Sequence, residues 1–421
     1  MGRTLDFLRL VVYNQYSIFG GETQSLFRRL QNFAHFVSCM NILHTSDWHI
    51  GKRLMDRERL PEQIEALDEL AVICERERVD LVLVAGDVFD TYMPSAEAEE
   101  VFFRAVKKLA GASRAVVIVS GNHDDGVRLA ASAPLAAEEG IYLFGSGREV
   151  MPVGGDRPVK AVASGEGYVV IENAVGERVY LNALPYPNEA RLREEKSEES
   201  YVEKIGRWIA RGEAGFQGGM PHILLTHLFA AGGKVSESER DIDLGGARAV
   251  PVSVFPAQGY VALGHLHKPQ KMGQNVRYSG SLLQYSFDEG ENKQVILLQT
   301  TGEHVEVAKE IPLMSGKKLV RLEAAGVEQA LSLLARYPEA YIELTLHLTA
   351  PLTSQETHAL RAANEGLVSL IVHTAGAQAV PVVRRSALSS QELFGEYYRS
   401  VYGEAPAEEL TQAFLALLEE R

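Results

Sequence analysis

The sequence predicts an α/β fold in which a parallel sheet is covered by helices, and three observations carry that reading. Short, near-continuous apolar runs recur at "NILHT", "DLVLVAGD" and "RAVVIVSG". Segments with helical periodicity lie between them, and a polar cluster containing Asp, His or Asn follows each run. Strands buried on both faces read as unbroken apolar stretches, and their alternation with amphipathic helices is the pattern of parallel βαβ units.

Taken in order, Ile42 and Leu43, flanked by Asn41 and Thr45, are too few for a helix and read as the first strand. Residues 62–77 carry Ile64, Leu67, Leu70, Ala71, Ile73 and Cys74 at helical spacing, with Pro61 suited to the first turn. "DLVLVAGD" is the second strand, 95–110 the second helix, and "RAVVIVSGNHDD" a third strand running into a polar loop. Strands near 168–171 and 178–184 and a charged helix over 188–212 are expected next. "HILLTHLF" and "GYVALGHLHKPQ" then repeat the scheme of apolar strand followed by histidine. Residues 291–318 are expected as connecting strands, and 319–385, where short strands and helices alternate, as a small α+β capping domain.

At the end, 386–421, Ser389 or Ser390 can cap a helix bearing Leu393, Phe394, Tyr397, Tyr398 and Val401. A Gly-Glu-Ala-Pro break precedes a second helix with Leu410, Phe414, Leu415, Leu417 and Leu418. These wide apolar faces can fold back on their own domain or dock on a partner helix. At the start, Arg3, Asp6 and Arg9 interrupt any secretory apolar core, and Met40 stands where a natural amino terminus would. Residues 1–39 are therefore expected as an upstream extension or a small added helix, outside a core domain of 40–290.

The 421 residues suggest two or three domains at roughly 150 residues each. With 46% hydrophobic and 23% charged residues the composition is that of soluble globular protein, and no apolar stretch reaches the ~18 residues of a membrane span. The 42 basic against 56 acidic residues, a charge of −14, exclude unaided, charge-driven wrapping of nucleic acid. A local basic groove, or a partner that supplies one, stays compatible. Cys39 and Cys74 have neither zinc spacing nor a disulfide framework, which fits a cytoplasmic location.

The chemistry lies in position. Asp47 and His49, Asp87 and Asp90, Asn122, His123 and Asp124, His227, and His265 and His267 all follow candidate strands. In open α/β sheets ligands gather beyond the carboxyl ends of strands, so five loops would aim these groups at one crevice. Singly, Asp87 reads as a helix cap and Asn122 and Asp124 as turn residues; together they are a metal constellation. His44 and His222 read as packed strand residues, and His35, His304, His347, His358 and His373 as structural. Imidazole, carboxylate and carboxamide without thiolate suit manganese, iron or zinc. Seven ligands exceed the need of one ion. Two ions roughly 3.5–4 Å apart, bridged by one carboxylate, would use them all and form a clamp for phosphate hydrolysis.

The order D-x-H, GD-x-x-D, GNHD, H, GH-x-H resembles the calcineurin-like metallophosphoesterase superfamily, and "ILHTSDWHIGK" with "GDVFD" resembles its branch of SbcD-type nuclease subunits. The resemblance is strong from Met40 to about residue 290 and looser beyond; residues 1–39 lie outside it. It implies a layered α/β sandwich, with Asp47, His49 and His267 on one ion, Asn122, His227 and His265 on the other, and Asp87 bridging. His123 would be no ligand but would contact the scissile phosphate, stabilising the transition state or protonating the leaving oxygen, with Asp124 orienting it. Asp90 stands where some archaeal relatives have histidine, and no catalytic role is carried to it.

The resemblance further implies a manganese-dependent DNA nuclease in repair, recombination and replication. With an SbcC ATPase it would be a 3′ to 5′ double-strand exonuclease; it would also cut single strands and hairpins, within a heterotetramer containing an SbcD-type homodimer and without a membrane. In that branch a carboxyl-terminal helical region binds the base of the SbcC coiled coil, which favours docking for 386–421. Lys52, Arg53, Arg57 and Arg59 would line the phosphate path or form a solvated helix entry. Hydrolysis of small phosphate esters or cyclic nucleotides on the same centre is the alternative activity, and a scaffold on an inactive fold is disfavoured by the complete ligand set.

Overall fold

The computed structural model describes residues 39–188, 198–239, 248–290 and 292–374, together with 393–395, 397–398, 405–408, 410–412 and 414. Residues 1–38 of the expected extension lie outside it. The chain enters β1 (Asn41–Thr45) directly from Met40, whose N–H donates to Thr300 Oγ1 at 2.8 Å. Then follow α1 (Leu60–Arg76), β2 (Leu81–Ala85), α2 (Ala96–Ala110), β3 (Ala115–Val119), α3 (Gly126–Ala130), α4 (Ala133–Glu138) and β4 (Ile141–Phe144). Pro61 lies in the first turn of α1, as its missing N–H allows. Ser95 caps α2, accepting from the Ala98 amide at 3.2 Å.

These strands form a six-stranded sheet with β12 (Gln294–Thr301) and β13 (His304–Pro312), in the order β13-β12-β1-β2-β3-β4. The segment expected as connecting strands is thus part of this sheet: β12 pairs antiparallel with β1, and β13 with β12. The second sheet has seven strands, in the order β10-β11-β9-β8-β7-β6-β5. Its members are β5 (Lys160–Gly165), β6 (Tyr168–Glu172), β7 (Arg178–Leu184), β8 (His222–His227), β9 (Tyr260–Gly264), β10 (Gln270–Lys271) and β11 (Val276–Tyr278).

Alternation of side chains along each strand explains the layering. Leu43, Val82, Val84, Val116 and Ile118 face α1 and α2 and pack with Leu67, Leu70, Phe102 and Val106. Their neighbours Ile42, Leu81, Leu83, Val117 and Val119 face the other way, onto Ile171, Leu181, Ile223, Leu225 and Ala262 of the second sheet. A parallel sheet covered by helices is therefore corrected on one face, where the cover is another sheet; apolar strands report burial on both faces but not what buries them. Beyond the second sheet, α5 (Tyr201–Glu213) packs Ile205, Trp208 and Ile209 against Leu224, Val261 and Leu263. The helix expected over 188–212 starts at Tyr201, where Ser200 and Glu203 form a capping box; 189–197 lie outside the described residues.

The carboxyl-terminal domain alternates β14 (Leu319–Ala324), α6 (Val327–Leu334), β15 (Tyr341–Leu348), α7 (Ser354–Ala363) and β16 (Leu367–Thr374). Its three strands are all parallel, in the order β14-β15-β16, so the segment expected as α+β is built of successive βαβ units. The two expected terminal helices fall largely outside the described residues. The described positions include Phe394 and Phe414, whose rings stack at 4.3 Å.

His44 is a packed strand residue, bonded to Tyr260 Oη at 3.1 Å and Leu263 O at 3.2 Å. Burial pushes its imidazole down to about 3. The unfolded chain takes up this proton below about pH 6.5 while the folded one does not, so stability is full above that pH and falls on acidification, by up to about 1.4 kcal/mol per pH unit. Unfolding midpoints at pH 7 and pH 5 should differ less for His44→Gln than for the unaltered chain.

Candidate metal centre

The carboxyl ends of β1, β2, β3, β8 and β9 meet at one edge of the sandwich. The loop after β1 is laddered onto the loop after β2: Asp47 N donates to Gly86 O at 3.0 Å, His49 N to Asp87 O at 2.9 Å and Ile50 N to Val88 O at 2.9 Å. The loops approach so closely that only glycine fits at two positions. A Cβ on Gly121 would lie 2.1 Å from Asp87 Oδ1, and one on Gly264 would lie 1.7 Å from Ala85 O. Backbone strain gathers here as well. Asp47 (φ 53°), His49 (φ 45°), Asp87 (φ 49°) and His265 (φ 112°) all have left-handed φ, at a cost of about 1–3 kcal/mol each.

The expected ligands converge. Donor atoms of Asp47, His49 and His267 lie within 4.8 Å of one another, as do those of Asp47, Asp87 and His227, and a third such group joins His49 to Asp90 and His123. His49 Nε2 and His267 Nε2 face each other at 2.9 Å. Asn122 Oδ1 lies 2.8 Å from His227 Nε2 and 3.2 Å from His265 Nδ1. Asp47 is common to two of these groups, and Asp87 Oδ2 lies 3.5 Å from His49 Nε2 and 3.5 Å from His227 Nε2. Asp47 Oδ1 accepts from His265 N at 2.9 Å, joining the first loop to the last.

The outer nitrogens explain why the inner ones point inward. His227 Nδ1 donates to Ala85 O at 2.8 Å, which leaves Nε2 for the centre. His267 Nδ1 lies 2.5 Å from Ser238 Oγ and 3.3 Å from Glu289 Oε1, and its amide donates to Glu239 at 2.8 Å. His49 Nδ1 lies 3.4 Å from Asp90 Oδ1. The facing Nε2 atoms of His49 and His267 are close enough to share one proton or one cation between their lone pairs. His265 Nε2 is buried without a hydrogen-bond partner among the described residues. Burial opposes charge on His227, yet the carboxylates of Asp87 and Asp47 push its imidazole up to about 9. Crowded acceptors, an orphaned imidazole nitrogen and a field that demands positive charge fit divalent cations held by nitrogen and oxygen donors.

His123 lies beside this cluster, its ring edge-on to His49 at 4.7 Å. Its amide donates to Asp87 Oδ1 at 2.9 Å. Nδ1 donates to Asp90 O at 2.7 Å, so Nε2 is the nitrogen left to act. Asp124, expected to orient that ring, instead holds backbone: it accepts from Gly121 and Val88 at Oδ2 (2.7 and 3.1 Å) and from Phe89 at Oδ1 (2.9 Å). Burial and the neighbouring Asp87 charge raise its carboxyl to about 6. It clamps the third loop to the second, and the carbonyl of Asp90 orients His123.

Asp90 is the group that the motifs alone left without a role. Besides touching His49 and His123, its carboxylate pairs with Lys52 Nζ at 2.9 Å. Burial opposes its ionisation, but His49 and Lys52 hold it well below the usual carboxylate range. Glu239, Glu289 and Lys293 went unnoticed in the sequence because their partner, His267, is set by the fold; Glu289 and Lys293 alone read as an ordinary i,i+4 pair. Of the four basic residues after the first motif, only Lys52 reaches the centre. Arg53 pairs with Glu58, Arg57 Nη2 donates to Glu365 O at 2.9 Å, and Arg59 is fully buried against Glu62 at 2.8 Å.

Among the described residues no helix is long and apolar enough to cross a membrane. Residues 40–269 match the family described as calcineurin-like phosphoesterase. The chain is 36% identical over 397 residues to the SbcD subunit of the SbcCD nuclease from Bacillus subtilis, covering 90% of this chain and 97% of the relative. It is 36% identical over 359 residues to the SbcD subunit of the SbcCD nuclease from Rhodobacter capsulatus, covering 78% and 85%.

Proposed function

This chain belongs to the calcineurin-like phosphoesterase family and within it to the SbcD-type nuclease subunits, and from that premise we propose that it is a manganese-dependent DNA nuclease working with an SbcC ATPase. With that partner it digests duplex ends 3′ to 5′; alone it cuts single strands, and it opens hairpins, in the cytoplasm, during repair, recombination and replication. One observation supports this most: a single carboxylate, Asp87, stands 3.5 Å from a histidine of each donor group.

Asp47, His49 and His267 would hold one ion and Asn122, His227 and His265 the other, with Asp87 shared. The chemistry supplied by a bound pair is neutralisation of the phosphate and activation of water. His123 presents Nε2 to the leaving oxygen, because its Nδ1 proton is committed to Asp90 O. Glu289 and Asp90 lie against the outer ring nitrogens of His267 and His49, Glu239 holds the His267 backbone, and Asp124 holds the loop that carries His123.

The test compares a hairpin-ended duplex with a chromogenic phosphodiester in manganese, with and without SbcC and ATP. Hairpin opening and ATP-dependent duplex digestion are expected; hydrolysis of the small ester alone would move the reading to small phosphate esters. Truncation after Arg385 should spare single-strand cleavage and abolish co-purification with SbcC together with ATP-dependent digestion. A truncated chain that binds SbcC with unchanged affinity would refute the docking role of the terminal segment.

A further inference from the structure

Two pairs of adjacent residues join the metal-site loop to the carboxyl-terminal domain. On α1, Glu62 and Gln63 point in different directions, as neighbours on a helix must. Glu62 Oε1 accepts from Tyr341 Oη of β15 at 3.0 Å, and Oε2 from Lys317 N at 2.7 Å. Gln63 Nε2 donates to His49 O at 2.7 Å, and its Oε1 accepts from Gly51 N at 2.9 Å. In the segment after β11, Gln284 Oε1 accepts from Leu319 N at 3.0 Å, while Tyr285 Oη donates to Trp48 O at 2.5 Å. One member of each pair thus touches the domain junction and the other touches the loop of Asp47 and His49.

The pairs are also tied to each other. Arg59, fully buried, donates to both Glu62 oxygens and to Gln284 O, with its guanidinium 5.3 Å from the Tyr341 ring centre. Gln63 Nε2 donates to Tyr285 Oη at 3.2 Å, and the Tyr285 ring packs edge-on to His49 and His267 at 5.5 and 5.7 Å. Charge-assisted bonds in a buried network leave no slack, so a shift of Tyr341 is shared by its partners or breaks a bond.

We propose that Gln63 and Tyr285 are positioning residues for the metal-site loop, and that the carboxyl-terminal domain sets their geometry through Tyr341, Glu62 and Gln284. The loop is where this bias is felt, because Asp47 and His49 are held there in left-handed backbone. Anything that binds the 319–374 domain and shifts Tyr341 then changes hydrolysis without touching substrate.

Tyr341→Phe deletes one hydroxyl and keeps the ring, which makes it the variant of choice. In the metal-free full chain, hydrogen exchange at amides 47–51 should quicken about 3- to 10-fold, with β3 unchanged, the size of effect expected for one ordinary hydrogen bond lost. With manganese, kcat on a chromogenic phosphodiester should fall by a similar factor at constant KM. Tyr285→Phe, which removes a direct bond to Trp48 O, should lower kcat further and quicken exchange at the same amides. Unchanged exchange at 47–51 in Tyr341→Phe, or faster exchange there with kcat unchanged, overturns the proposal. Only the rate readout rests on the phosphodiesterase reading: an unaltered chain that hydrolyses nothing would sink that reading, while exchange still decides this one.

Discussion

Asp87→Asn is expected to bring hydrolysis below about a thousandth of the unaltered rate, since in the proposed centre this carboxylate would bridge both ions. The substitution keeps size and shape but replaces an anionic oxygen at the one position equidistant, at 3.5 Å, from His49 and His227. Burial opposes ionisation of Asp87, yet His227, His123 and His49 hold its carboxyl well below the ordinary range, so the loss is of a full charge. Metal analysis of the purified variant should find fewer than two ions per chain. Full activity with two ions retained would contradict the bridging role.

His123→Gln should lose on the order of 10²–10⁴-fold in turnover and keep both ions. None of the seven donor residues is altered, and the amide of residue 123 can still donate to Asp87 Oδ1. The measured split between metal content and rate separates an acid or charge stabiliser from a ligand. If the variant arrives depleted of metal, residue 123 belongs to the coordination sphere and the assignment is wrong.

Much of this site could be read from the chain because each donor follows an apolar strand, and strands buried on both faces are the strongest local signal in the sequence. Glycine before Asp87, Asn122 and His265 belongs to the same signal: at 121 and 264 a side chain would strike Asp87 or Ala85. What could not be read depends on distant partners. Asp90, Glu239 and Glu289 act by lying beside His49 and His267; the GD-x-x-D spacing marks Asp90 without giving its role, and nothing local marks the two glutamates. Asp124 looked like a partner of its neighbour His123, whereas the amides of Val88 and Phe89, brought by the fold, and of Gly121 in its own loop claim it. Arg57 and Arg59 resembled a phosphate track, yet they reach Glu365 and Glu62 at the domain junction. The second sheet, too, leaves the same apolar imprint on β1–β3 as a helical layer would.

The most direct test of the central claim is anomalous diffraction at the manganese edge from crystals of the full chain grown with that ion. Two peaks are predicted roughly 3.5–4 Å apart, one among Asp47, His49 and His267, the other among Asn122, His227 and His265, with Asp87 between them. A single peak, or two peaks that do not share Asp87, would contradict it.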